Sequence, residues 1–338
     1  MKKIVEQWCK EKPFTDEEKQ IFWKPENPSD FNDVSDVNEY IKMKNEFIKR
    51  LPFSQLSQDN CEITFDVSET SLINKVKEEF VDNNTLIITS DQEHPSVTDM
   101  VKSCPNYYIM QYLTEIISLD YSKLMDKIKN FEKIVVIING VKVCSGEFTP
   151  QLFFIRLKEL LKNKQSIIIL DDAQGIFLHS RDYSIYDYVF GTCHAVVDSY
   201  DAGICFSIGS NKPLGNKAYK VGLNYLAGLD KVLCRMDKMG IFSSIMEDYF
   251  YNRILEKKLF NIDNSLHTTT VPYLFNLEDK NKIFTEEQSN LLIEKYKIAV
   301  DGIGTSRQML RFRAQQYLDQ PELLLKGLSI IDDILDNN

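Results

Sequence analysis

The clearest chemistry in the sequence follows the apolar run "SIIIL" (166–170). Asp171 comes directly after this run, and Gln174 stands three residues later in "DDAQ". A carboxylate at the end of a strand, with an amide close behind it, can present two polar groups to one ligand. Aspartate is also a common helix N-cap, so capping is the alternative interpretation of Asp171.

Two further segments place polar residues near predicted strand ends. In "TLIITSDQEHPS", Glu93 and His94 follow the apolar run, and the flat imidazole of His94 could cover a flat ligand. A satisfied surface or core histidine is the alternative. In "FDVSETS", Ser68, Glu69 and Thr70 stand where a helix is predicted to begin. Backbone N–H groups at a helix start bind anions but also need caps, so these residues fit both roles.

The turn "GTCHAVV" and the run "MLRFRAQQ" carry the remaining candidates. Thr192, His194 and Ala195 lie in the turn, between apolar runs that predict strands. Arg311 follows the apolar pair "ML" and could bind a carboxylate through two parallel hydrogen bonds. An ion pair with a neighbouring side chain is the alternative, and it suits Arg313 better than Arg311.

Elements that could position these residues are visible along the middle of the chain. Short β-branched runs predict strands at 85–89, 107–110, 134–139 and 166–170. The segment "TPQLFFIRLKELLKN" (149–163) predicts a helix capped by Thr149, with Pro150 in its first turn. Strands that alternate with helices predict βαβ units and a largely parallel sheet, which binds ligands at the carboxyl ends of its strands.

Composition narrows the classes of protein and partner. The chain has 338 residues and a net charge of -10, without a basic block interleaved with aromatics, which argues against nucleic acid or an anionic membrane as partner. Seven scattered cysteines without CxxC spacing indicate reduced thiols. The N-terminus lacks the apolar core of a signal peptide, and no apolar run is long enough to cross a bilayer. We therefore expect a soluble, cytoplasmic protein with a large domain (56–235) and a smaller domain formed by 1–55 and 236–338.

The order of these segments resembles the class V aminotransferase and cysteine desulfurase group of pyridoxal 5'-phosphate (PLP) enzymes. In that group a helix-start anion site, a Glu-His pair, an Asp-x-Ala-Gln segment, a turn with Ser-x-His and a late Arg follow one another. The resemblance covers about residues 60–225 and 298–335. It implies an α/β protein with the PLP-dependent transferase fold (aspartate aminotransferase-like, fold type I), a mostly parallel central sheet and a smaller α+β domain. It also implies a homodimer.

The resemblance implies a role for each candidate residue. The cofactor phosphate would be bound by residues of two turns: Ser68, Glu69, Thr70, Thr192 and His194. His94 would stack on the pyridine ring, Asp171 would pair with the ring nitrogen, and Gln174 would pair with the ring hydroxyl. Arg311 would bind the carboxylate of an amino acid substrate. The family's Schiff-base lysine falls on Ala195, and no metal ion is implied.

Ala195 leaves three explanations open. Ala195 is an engineered replacement of a native lysine, or the lysine is naturally absent, or another lysine such as Lys212 takes over. In a naturally lysine-less protein, His194 would act as the base, or the protein would be a non-catalytic relative. With a lysine, the resemblance implies transamination or elimination at the β- or γ-carbon of an amino acid. With alanine we expect slow or no turnover.

Two further points bear on function. No cysteine stands near "IAVDGIGTSRQM" to carry a persulfide, so desulfurase chemistry is not expected. The candidates for catalysis are His94, His194 and position 195. The competing class is a non-enzymatic α/β binding protein in which the Asp and Glu-His segments only cap helices.

Overall fold

A computed structural model describes the chain at residues 41–42, 45, 60–66, 68–142, 148–173, 175, 182–192, 203–215, 245–246, 249, 273–277, 284–301, 308–312, 317 and 320–337. These residues fall into two compact units, one containing a seven-stranded sheet and the other a three-stranded sheet. The predicted domain boundaries at 55/56 and 235/236 lie outside the described residues and stay predictions.

The larger sheet contains the strands β1 (Cys61–Asp66), β2 (Thr85–Ser90), β3 (Tyr107–Met110), β4 (Lys133–Asn139), β5 (Gln165–Asp171), β6 (Tyr188–Thr192) and β7 (Gly203–Ile208). Their spatial order is β1-β7-β6-β5-β4-β2-β3. Neighbours from β3 to β6 pair in parallel, whereas β7 is antiparallel to both β1 and β6. The predicted α/β architecture with a mostly parallel sheet is confirmed.

The central strands are apolar because both faces of the sheet are covered. All of β2 and β7 is buried, as is β4 from its second residue onward. Successive side chains of a strand point to opposite faces, so a strand with two covered faces lacks the alternation of a half-exposed strand. This accounts for the continuous run "KIVVIIN" of β4.

Helices cover both faces of this sheet. They are α1 (Glu69–Phe80), α2 (Pro95–Lys102), α3 (Ser122–Ile128) and α4 (Gln151–Leu160), with a π-helical segment at Tyr112–Ile117 and a 3-10 turn at Tyr183–Ile185. On one face, α1 and α2 pack on the sheet through Leu72, Val76 and Val97. On the other face, Phe154 of α4 meets Tyr186 edge to face, with ring centroids 4.9 Å apart.

The helix predicted at 149–163 forms, but it begins at Gln151 and Thr149 is not its cap. Pro150 occupies the cap position in an extended conformation. The Thr149 hydroxyl instead donates to the backbone oxygen of Asn139 at 2.6 Å, at the end of β4. The hydroxyl is therefore used to join the end of a strand to the start of the next helix.

The smaller unit is an α+β arrangement. Its strands are β8 (Tyr273–Leu277), β9 (Ala299–Asp301) and β10 (Gln308–Phe312), and its helices are α5 (Glu286–Tyr296) and α6 (Pro321–Asn337). The strand order is β8-β10-β9, with both pairs antiparallel. Thr285 and Gln288 cap the start of α5 reciprocally. None of the described helices has the length and apolarity needed to cross a membrane.

Candidate functional site

Four parallel strands of the larger sheet end in polar residues at the same edge. These residues are Ser90 of β2, Asn139 of β4, Asp171 of β5 and Thr192 of β6. The register pairs Asn139 with Asp171, and all four residues are buried. This is the edge at which parallel sheets bind ligands.

The start of α1 reaches the same edge, because β1 leads directly into it. Ser68 is the N-cap, and its Oγ accepts the N–H of Ser71 at 3.1 Å. This is the capping alternative for Ser68, and it leaves other first-turn N–H groups as donors for an anion. Gly203 of β7 lies under this turn, since a Cβ there would be 2.7 Å from the backbone nitrogen of Glu69. Thr70 is exposed in the first turn.

Glu69 directs its carboxyl group to Asp171, and the two carboxyls share a hydrogen bond. Burial, above all, raises the pKa of Asp171 to about 6, and the charges of Glu93 and Asp172 act in the same direction. Burial and the nearby Asp171 charge hold the pKa of Glu69 well above its usual range. The hydrogen bond from Glu69 acts against burial and lowers the pKa of Asp171, so Asp171 is the acceptor. The Oε1 of Glu69 is buried and has no hydrogen-bond partner among the described residues.

Asp172, the next residue, is built into the core of the unit. The hydroxyl of Tyr183 donates to its Oδ2, and its backbone N–H donates to Phe190 at 2.9 Å. A Cβ on Gly175 would lie 2.5 Å from Oδ1, so the carboxyl fits closely against backbone. Asp172 is therefore a fully buried part of the core, next to Asp171.

Glu93 lies at the end of β2 and forms a buried ion pair with Lys142. The Nζ of Lys142 is 2.8 Å from Oε1 of Glu93 and 3.0 Å from Oγ of Ser90, and both charged side chains are fully buried. The other oxygen, Oε2, accepts the N–H of Asn139 at 2.7 Å. Sequence reasoning missed Lys142, because its only signal is a single lysine shortly after an apolar strand.

His94 begins α2 as its N-cap. Its Nδ1 accepts the N–H of Ser96 at 3.3 Å and lies 2.7 Å from Ser96 Oγ. The residue is exposed, but its neighbours cover enough of the ring to lower its pKa. A neutral ring that accepts at Nδ1 carries its proton on Nε2, so Nε2–H is a donor. The predicted stacking of His94 on a ligand stays a prediction.

The remaining candidates are distributed differently. Gln174, His194 and Ala195 lie outside the described residues. The backbone of Arg311 lies in β10, the middle strand of the smaller sheet, and pairs with Leu274 and Ala299. Lys212 follows β7 at the opposite edge of the larger sheet, where its Nζ pairs with Glu79 at 3.0 Å. Lys212 is therefore far from the carboxyl ends of the parallel strands.

The acidic groups that the structure describes at this edge are bound by other side chains. No group of three His, Cys, Asp or Glu side chains among the residues that the structure describes could hold a metal ion. Asp171 and Glu69 are joined by a hydrogen bond, and Glu93 forms an ion pair with Lys142.

Comparison with known proteins identifies the fold. The sequence matches no protein-family model and no curated protein. Among solved structures, a NifS-like protein from Rickettsia africae is similar, with a TM-score of 0.67, 16% identity and coverage of 97% of this chain and 98% of that one. A ureidoglycine-glyoxylate aminotransferase from Bacillus subtilis is similar with a TM-score of 0.64 and 13% identity, and the match covers 95% of this chain and 90% of that one. A PLP-bound C-S lyase from Staphylococcus hominis is similar with a TM-score of 0.56 and 14% identity, and the match covers 89% of this chain and 84% of that one. The chain thus has the fold of the PLP-dependent, aminotransferase-like enzymes (fold type I), as predicted.

Proposed function

We propose that this chain binds PLP at the carboxyl edge of the larger sheet and that the site is built for chemistry on an amino acid. The observation that carries the proposal is Asp171, a buried carboxyl group at the end of β5 in a fold of this class. Burial raises its pKa, so a cationic partner would be strongly favoured beside it.

The described residues fit the ring end of the cofactor. Four acidic residues lie at or beside the end of β5, namely Glu69, Glu93, Asp171 and Asp172. The one buried lysine among the described residues, Lys142, is already paired with Glu93. A protonated pyridine nitrogen supplies the missing positive charge beside Asp171. The buried, unpartnered Oε1 of Glu69 is a second polar atom that such a ligand could satisfy.

Each residue then has a definable task. Asp171 would hold the proton on the ring nitrogen, a charge-assisted contact worth roughly 1.5–3 kcal/mol. Thr192 and the N–H groups at the start of α1 would bind the phosphate. The ring of His94 would cover one face of the pyridine and exclude water. When bound, PLP supplies an electron sink that weakens the bonds at the α-carbon of an amino acid.

The reaction class we propose is transamination or elimination at the β- or γ-carbon, with Arg311 binding the substrate carboxylate. Ala195 has no group that can take up or release a proton, so turnover by this chain would be slow or absent unless His194 acts as the base. The same proposal includes a cytoplasmic homodimer.

Binding of PLP and of pyridoxamine 5'-phosphate, which has no aldehyde to react with surface lysines, tests the proposal. We expect both ligands to bind, with a shifted absorbance, and to be lost on dialysis. Asp171→Ala should weaken binding by about 10- to 100-fold, because it removes the charge-assisted contact. Asp82→Ala is the control, since Asp82 is exposed and lies before β2, at the opposite edge. Absence of binding by the unaltered chain would exclude the proposal.

Ala195→Lys tests the role of position 195. If position 195 is the lysine position of the site, PLP should become resistant to dialysis, and an amino acid should then be turned over. Ala195→Met, which adds length without an amine, is the matched control. Dialysis-sensitive PLP in the lysine variant would count against the assignment of position 195.

A non-enzymatic binding protein is the second candidate. It is favoured by the finding that Ser68 and His94 both cap helices. This candidate predicts no spectral change with either vitamin B6 compound and an unaltered free energy of unfolding when they are added.

A further inference from the structure

Lys142 is a buried charge to which the proposed chemistry assigns no task. It follows β4 closely, and its side chain is fully buried. Its ammonium donates to Glu93 and Ser90, and it lies 4.6 Å from the centre of the Tyr112 ring. Ser90 and Glu93 lie at the carboxyl edge of the larger sheet, and Tyr112 belongs to the π-helical segment that follows β3.

Stability alone does not explain this arrangement. Removing two charges from water is costly, and a buried ion pair is often no more stabilising than apolar residues of the same volume. Such pairs are therefore better understood by the geometry that they impose. Here the geometry concerns Glu93, because each of its carboxylate oxygens is held by a different part of the fold.

Glu93 connects two strand ends. Its Oε1 accepts from Lys142 and from the hydroxyl of Ser90, the last residue of β2. Its Oε2 accepts the N–H of Asn139, the last residue of β4, at 2.7 Å. This link fixes the backbone immediately before His94, whose ring is held in turn by Ser96.

We propose that Lys142 is a positioning residue, which holds Glu93 between β2 and β4 and so fixes His94 in the orientation that covers the cofactor ring. This inference rests on the proposed binding of PLP and on the proposed cover of its ring by His94. Lys142 does not touch the ligand, and its effect passes through Glu93.

The test separates positioning from stability by removing both charges together. Lys142→Met alone leaves Glu93 buried without its cation, so we expect a lower thermal midpoint. In Lys142→Met/Glu93→Gln no buried charge is left unpaired, and the midpoint should recover. Binding of pyridoxamine 5'-phosphate should nevertheless weaken at least tenfold, and the circular dichroism that the protein induces in the bound ligand should be lost. The matched control is Lys133→Met/Asp82→Asn, an ion pair of 2.6 Å at the opposite edge of the same sheet.

Wild-type affinity and wild-type induced circular dichroism in the double variant would overturn the inference. If the double variant does not fold, Lys142→Met alone gives the answer at a temperature well below its midpoint, because it removes the ammonium that holds Oε1 of Glu93. Normal dichroism in that variant would also overturn it. A failure of PLP binding itself is recognised differently, since the unaltered chain would then bind neither PLP nor pyridoxamine 5'-phosphate.

Discussion

The Glu69–Asp171 pair makes the stability of the protein, measured without added PLP, depend on pH. Burial raises the pKa of Asp171 to about 6 and holds that of Glu69 well above its usual range. A carboxyl group whose pKa is higher in the folded than in the unfolded protein stabilises the fold at low pH. That contribution is fully present below the unfolded pKa and is lost as the pH rises through the folded one.

Asp171→Asn should remove the Asp171 part of this dependence. We expect the free energy of unfolding of the unaltered protein, relative to the variant, to fall by up to about 3 kcal/mol between about pH 4 and about pH 7. Urea unfolding of both proteins across this range measures the difference. Asp126→Asn is the control, because Asp126 is exposed and its pKa is lowered by Lys129. A difference that does not change with pH would contradict the assignment.

For single residues, the sequence predicted which side chains lie at the sheet edge, but it did not predict which side chains they contact. Asp171, Glu93 and His94 were recognisable because polar residues that follow apolar strands must lie at the sheet edge. The partner of Glu69 was not recognisable, because hydrogen bonding between Glu69 and Asp171 joins residues about a hundred positions apart. Lys142 was missed for the same reason, since its burial depends on Ser90 and Tyr112 from other elements.

Among the elements, the contact of α1 with β7 should control the shape of the predicted phosphate site. Gly203 of β7 lies directly under the first turn of α1, and a Cβ there would be 2.6 Å from the backbone oxygen of Ser68. The obstructing atoms belong to the backbone, so a side chain could not avoid them by rotating. A larger residue at 203 must therefore displace the start of the helix.

Gly203→Ala is expected to lower the free energy of unfolding by about 1–3 kcal/mol, the usual cost of overpacking. Displacement of the helix start should also weaken binding of pyridoxamine 5'-phosphate more than binding of pyridoxamine, which lacks the phosphate. Gly209→Ala is the control for overpacking. Gly209 has a positive φ of 69°, which alanine adopts only with strain, but no atom lies within 4 Å of its Cβ position. Equal weakening for both ligands would place the defect outside the phosphate site.

The sequence predicted four of the parallel strands, at 85–89, 107–110, 134–139 and 166–170, and the helix at 149–163, but not the spatial order of the strands. Runs such as "IVVIIN" are recognisable because strands buried on both faces are continuously apolar. The exact starts of helices depend on tertiary contacts, as Thr149 shows by bonding to Asn139 instead of capping α4. The antiparallel insertion of β7 between β1 and β6 is a property of the folded sheet and leaves no pattern in β7 itself.

In the whole molecule, the proposed roles divide between the two units. The cofactor candidates that the structure describes, Ser68, His94 and Asp171 among them, belong to the unit with the seven-stranded sheet, whereas Arg311 belongs to the smaller one. Cofactor binding and substrate binding should therefore be separable by mutation. If Asp171 and Arg311 bound the same ligand, substitution of either residue would weaken cofactor binding and substrate binding together.

Arg311→Ala tests this division. Pyridoxamine 5'-phosphate at about 100 times its Kd should stabilise the protein by about 2.7 kcal/mol, and the variant should respond equally because Arg311 has no role in cofactor binding. Addition of L-alanine, L-aspartate or L-methionine to the PLP-loaded protein should raise the thermal midpoint further only when Arg311 can bind the carboxylate. Arg313→Ala, two residues along the chain, should retain this second increment. If Arg311→Ala also retains it, Arg311 does not bind substrate, although the assignment of Asp171 to the cofactor would be unaffected.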